Sequence, residues 1–211
     1  MKPLSEPALQ FIKKVGKNKD FAIDLDLLED HLRIYHLEDS SEILRFQKNF
    51  AGLHFQDTVI YIFTPEQIRE RKTVKTHEWN GQTLFPINNG LYMAENGEIA
   101  VRDCGCNSHD FYFYFERFDI FIEQQAFFEK HRYYKKLPAY SHEITDLKEF
   151  SARMSGYGFL PDCSDRYNLM WKNEVSLVHA TCHENAWSVG IDSISEQNRS
   201  KLIEQLKDVI Q

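Results

Sequence analysis

Between Glu42 and Glu70 the spacing of apolar residues changes from helical to extended and back. Ile43, Phe46 and Phe50 recur at intervals of three and four, the spacing of one helix face, and Asp39 with Glu42 has the spacing of a capping box, so a helix is expected to start there. Gly52 is expected to end it. Beyond it Val59, Tyr61 and Phe63 interleave with Ile60 and Ile62, so both faces are apolar, as in a central strand covered on each side. Thr64-Pro65-Glu66-Gln67 then opens a second helix, with Thr as cap, Pro at the first helical position and Gln three residues after the cap.

The same reading extends along the chain. Ser5 and Pro7 begin a helix with Leu9, Ile12 and Val15 as its buried stripe and Gly16 as its stop. Asp24 caps a second, with Leu27, Leu28 and Leu32 facing inward and Asp26 and Glu29 suited to its N-terminal dipole. Lys72 to Gln82 reads as a polar loop and Leu84 to Ile87 as a short extended piece. Asn96-Gly97 between Leu91–Ala94 and Glu98–Val101 is a strong hairpin signal. Phe111 to Phe115 makes another strand, and Phe118, Phe121, Ile122 and Phe128 share one side of a helix ending near Lys130. Composition shifts at RYYKKLPAYS, residues 132–141, which reads as a linker or a binding strap. From Thr145 a helix carrying Leu147, Phe150 and Met154 precedes strands near Asn168–Trp171, Val175–Thr181 and Ala186–Ile191. A closing helix starts at Ser193 or Ser195 and buries Leu202, Ile203, Leu206, Val209 and Ile210. The expected fold class is α+β: helices on a mainly antiparallel curved sheet in residues 1–131, a linker over 132–144, and an α-β-β-β-α unit over 145–211. At about 70 residues that unit has a marginal core, so it is expected to dock on the first.

Charge sharpens this picture. Eight carboxylates lie between Asp20 and Glu42 against the single base Arg33, an excess equal to the net charge of −7 for the whole chain of 211 residues. The remainder is close to neutral, which argues against a directly bound phosphate backbone and allows a basic protein partner. The candidate partner-binding residues are therefore Asp24, Asp26, Glu29, Asp30, Glu38 and Asp39, with Tyr133 and Tyr134 of the strap as aromatic anchors. No apolar run reaches the roughly 18 residues of a membrane span, and Met1-Lys2-Pro3 leads into a polar segment rather than a signal peptide, so a cytoplasmic protein with no membrane contact is expected.

Two groups of residues suggest chemistry. Cys104-Gly105-Cys106 with His109 offers three ligands, but structural zinc sites space paired cysteines by two to four residues, and here one residue intervenes. His179, Cys182, His183 and Glu184 form the second group. On a strand, however, His179 and Cys182 point to opposite faces, which separates a thiol nucleophile from its base. Neither a catalytic carboxylate pair nor a glycine-rich phosphate loop is present. No catalytic residue, cofactor or metal is expected.

Leu28-Glu29 with Leu32 and Ile34, Phe46 with Phe50-Ala51-Gly52-Leu53, Phe85-Pro86-Ile87, Asn96-Gly97-Glu98-Ile99 and Phe115-Glu116-Arg117-Phe118 follow one another in an order that resembles the SUKH superfamily. His36-Leu37-Glu38-Asp39 stands where that family usually has a Leu-Pro pair. The resemblance covers roughly residues 20–131. It implies helices packed on a curved antiparallel sheet and no shared catalytic residues. Bacterial members are mostly immunity proteins that neutralise a cognate toxin, often a nuclease or deaminase. The expected function is stoichiometric occlusion of a protein toxin with a basic surface; the alternatives are a regulatory scaffold and a Cys/His metal-dependent hydrolase.

Overall fold

The computed structural model describes residues 3–55, 57–87, 90–103, 110–135 and 137–211. It is an α+β protein whose chain divides into two compact units, Ala8–Phe118 and Met1–Pro7 with Asp119–Gln211. In the first, helices α1 (Glu6–Val15, of which Ala8 onward belongs here), α2 (Leu25–Leu32) and α3 (Ser41–Phe50) precede a two-stranded hairpin of β1 (His54–Phe55) and β2 (Thr58–Val59) and the short α4 (Pro65–Arg69). A five-stranded curled antiparallel sheet follows in the order of the chain: β3 (His77–Trp79), β4 (Gln82–Ile87), β5 (Leu91–Ala94), β6 (Ile99–Arg102) and β7 (Phe111–Phe115).

Local chemistry accounts for most boundaries. Asp24 accepts from the amides of Asp26 and Leu27 at the start of α2, and both bonds of the Thr64–Gln67 capping box form. Gly16 and Gly97 take φ of +79° and +93°, the first ending α1 and the second turning the β5–β6 hairpin. The apolar stripe of α3 is fully buried, and Phe46 meets Phe118 edge-on with ring centres 4.9 Å apart. Phe85, Met93, Ile99 and Phe115, in register across β4 to β7, supply the buried face of the sheet.

Several expectations need correction. Residues 59–63 do not form a central strand: β2 stops at Val59, although Ile60, Ile62 and Phe63 are buried as the pattern required. Their backbone is bonded elsewhere, Ile60 to Gly52 and Leu53, and Ile62 and Phe63 to the side chain of Gln47. A side chain thus stands where a neighbouring strand was expected. The Asp39–Glu42 capping box is absent because α3 starts one residue later. Asp39 instead accepts from the backbone and hydroxyl of Ser41, while Glu42 pairs with Arg45. Lys72 to Gln82 is not all loop, since His77–Trp79 pairs with β4. In α1, Ala8 is buried and Leu9 exposed, reversing part of the expected stripe.

In the second unit, α5 (Phe118–Lys130, of which Asp119 onward belongs here) leads through a 3₁₀ turn at Arg132–Tyr134 to β8 (Ser141–Ile144), α6 (Leu147–Arg153), β9 (Gly158–Phe159), β10 (Asn168–Lys172), β11 (Ser176–His183), β12 (Ala186–Ser193) and α7 (Glu196–Leu206). Its sheet has five strands ordered β8-β12-β11-β10-β9, not three, because both edge strands escaped the pattern. Residues 132–144 are therefore no linker: they contain the 3₁₀ turn and an edge strand, and α5 up to Lys130 lies in this unit rather than in the first. Ser195, not Ser193, caps α7; Ser193 is buried and its hydroxyl donates to Val175 O. One face of the sheet packs Trp171, Val178, Ala180, Val189 and Ile191 against Phe150 of α6 and Leu202 and Leu206 of α7. The other face packs Met170 and Leu177 against Tyr134, Cys163, Phe127 and Phe128.

Candidate interaction surface

Helix α2 turns Leu28, His31 and Leu32 into the first unit. His31 meets Phe63 edge-on at 5.5 Å and occupies an inward position that the pattern had assigned to Leu27. Leu27, at the edge of that buried face, is 58% exposed, and Ile34, on the following 3₁₀ turn, is 43% exposed. Between and beside them stand Asp26, Glu29 and Asp30, all exposed. The outer side of α2 and the 3₁₀ turn after it thus expose two large apolar side chains along a run of carboxylates, a combination of anchor and charged rim that a solvated helix face does not need.

The carboxylates of this ridge are not equivalent. Asp24 serves the helix start. Asp30 lies 3.2 Å from Arg33 and 3.4 Å from Arg71, both exposed pairs of small energetic weight. The bonds from Ser41 hold the Asp39 carboxyl below the usual carboxylate range. Asp26 and Glu29 make no ion pair with any described residue. Glu38 joins a second group outside the acidic run: burial first, and then Glu38 and Glu78, push the Glu95 carboxyl upward. Glu38 therefore shares its negative field with carboxylates of the β3–β5 region, a grouping invisible in a linear count because Glu78 and Glu95 lie in sequence far from Glu38.

The strap tyrosines belong to the other unit and part ways. Tyr134 is only 1% exposed; it donates its hydroxyl to Asn173 O, and burial pushes that phenol upward. It is a core residue and not a partner anchor. Tyr133 remains 44% exposed, its ring 4.5 Å from that of Tyr134 and its hydroxyl 3.0 Å from His131 Nδ1.

His179 lies on β11 with Nε2 3.1 Å from Asn168 Oδ1. Cys182 follows at a spacing of three on the same strand and takes the opposite face, while His183 is exposed and Glu184–Asn185 form the positive-φ turn to β12. Among the described residues no three His, Cys, Asp or Glu side chains converge as metal ligands. Cys104, Cys106 and His109 lie outside the described residues. Burial, helped by Lys135, pushes the His179 imidazole down to about 4. Its folded pKa is then below its unfolded one, so acid favours the unfolded chain. The contribution is complete above about pH 6.5 and lost as pH falls toward 4, an expected loss of about 2 kcal/mol for a ring in a half-buried residue. Denaturant melts from pH 7 to 4 should show this loss in the native chain and not in His179→Gln; parallel curves would remove His179 as the acid-sensitive group.

No helix among the described residues is long and apolar enough to cross a membrane. No protein-family model, no curated protein and no solved structure matches this chain.

Proposed function

We propose that this chain is a cytoplasmic protein-binding immunity protein of SUKH type, which neutralises a cognate toxin stoichiometrically by covering its basic surface. The observation that carries the reading is the outer side of α2 and of the 3₁₀ turn after it, which expose Leu27 and Ile34 together with Asp26 and Glu29, carboxylates that pair with no described residue. Carboxylates there attract a basic partner and orient its approach, and the two apolar side chains supply contact area that becomes dry on docking. A toxin acting on nucleic acid needs a basic surface for its substrate, so occupation of that surface would block it without chemistry by the inhibitor.

The test is reversal of the free charges, Asp26→Lys with Glu29→Lys, leaving Asp24, Asp30 and Asp39 to their structural bonds. Stability should change by about 1 kcal/mol or less. Association with a basic protein captured by the native chain should slow by about tenfold or more at low salt, and added salt should shrink the difference by screening. Equal association rates at low salt, or a captured protein that does not lose its toxic activity at equimolar ratio, would overturn the reading.

A further inference from the structure

The second unit contains a pocket of about 280 Å³ that has no part in the acidic ridge. One wall is α5, which presents Glu123 and Phe127 one turn apart on the same side; the opposite wall is the turn Leu160-Pro161-Asp162-Cys163 after β9. The walls are built firmly. Gln124 Nε2 donates to Cys163 O at 2.8 Å, Ser164 Oγ donates to Leu160 O at 2.8 Å, and Cys163 N donates to Leu160 O at 3.1 Å. Phe127, Leu160, Pro161 and the buried Cys163 make most of the lining apolar.

The polar content of the pocket is what points to a ligand. Glu123 is 7% exposed, and its two carboxylate oxygens accept from Ser5 N and Ser5 Oγ, each at 2.6 Å. These are neutral donors. No lysine or arginine pairs with Glu123 among the described residues, so a buried carboxylate faces an apolar-walled space without a counter-ion. Buried charges are ordinarily paired. Burial, with Glu123 and Asp162 adding to it, pushes the Cys163 thiol up to about 12, so the thiol stays protonated and supplies neutral surface. His131 at the margin is pushed down by burial, Lys172 and Lys130, so it adds little positive charge at neutral pH, and Lys130 itself is exposed.

We propose that this pocket binds a small organic amine, with the ammonium group at Glu123 and an apolar body against Phe127, Leu160 and Pro161. The volume is at the lower end of the roughly 300–1,000 Å³ that ligand pockets span, which suits a single ring or a short alkyl chain. The same ammonium chemistry could be offered by a free amine or by the side chain of lysine in a peptide, and the two are separated by the probes below. The inference stands on a different unit from the proposed docking face, so neither depends on the other.

The experiment is calorimetric titration of the whole chain at pH 7 with phenethylamine, with phenethyl alcohol as the uncharged match and methylamine as the cation without a body. Phenethylamine should bind saturably at up to millimolar concentration, and each of the others at least tenfold more weakly. A short peptide with one internal lysine should not compete with it; competition at equal concentration would overturn the free-amine assignment. Glu123→Gln keeps an acceptor for Ser5 and should cut amine affinity at least tenfold, whereas the exposed Glu204→Gln should leave it unchanged. Equal affinity for amine and alcohol, or no saturable amine binding, would overturn the proposal. Should Glu123→Gln fail to fold, the amine and alcohol comparison on the native chain decides alone.

Discussion

Gly52→Ala is expected to destroy the stable fold of the Ala8–Phe118 unit. Gly52 has φ of +90°, and a Cβ placed there would lie 2.3 Å from Asn18 O, a backbone atom that no rotamer change can move. Retreat is blocked from both sides, because Asn18 N donates to Gly52 O at 2.7 Å and Gly52 N donates to Ile60 O at 2.7 Å. The left-handed conformation alone costs an L-residue roughly 1–2 kcal/mol. Relief of the clash must also break at least one of those buried bonds, which brings the expected loss above about 4 kcal/mol, against the 5–15 kcal/mol typical of a whole domain. Circular dichroism and thermal melting would show it. A melting temperature within a few degrees of the native chain would mean that the close approach at Asn18 is not obligatory.

Replacing Gln47 by leucine should cost about 3 kcal/mol, although the volume is nearly conserved and the new side chain is more apolar. Gln47 is 3% exposed; its Nε2 donates to Phe63 O at 2.9 Å, and its Oε1 receives the amides of Phe63 at 3.3 Å and Ile62 at 3.4 Å. Leucine would leave these three backbone groups buried and unbonded, at roughly 1 kcal/mol or more apiece. Because the cavity term is small, the loss measured in urea would report the bonds themselves. An unchanged midpoint would show that segment 60–63 finds other partners.

That glutamine also shows where sequence reading reached its limit. The apolar run from Val59 to Phe63 correctly foretold burial, yet burial does not say what bonds the backbone, and nothing in the run points to a residue twelve or more positions earlier. Elements defined by local rules were legible: the Thr64–Gln67 box, the Asn96-Gly97 hairpin and the bounds of α5 all follow from spacing. His77–Trp79, Ser141–Ile144 and Gly158–Phe159 were not, because short edge strands need only one paired side and carry polar or solvent-facing residues. On the ridge, the acidic excess was plain in the sequence, but its apolar anchors were concealed. Leu27 and Leu28 both fit the apolar stripe of α2, but the buried face centres on Leu28, His31 and Leu32, and a histidine in that face is not foretold by an apolar pattern. Tyr134 misled in the other direction, since a tyrosine beside lysines and a proline resembles a strap until its ring is found in a core.

The bonds from Ser5 to Glu123 tie residues 118 positions apart, and between them the chain builds almost all of the other unit. In folding terms the second unit is interrupted: its opening segment is made first and can be placed only after α5 has formed. Closing so long a loop through disordered chain is entropically expensive and slow. If residues 8–118 fold beforehand, the same closure links the ends of a compact body. Synthesis from N- to C-terminus favours that order, because the Ser5 segment is made before residues 8–118 and is fixed only once α5 has formed.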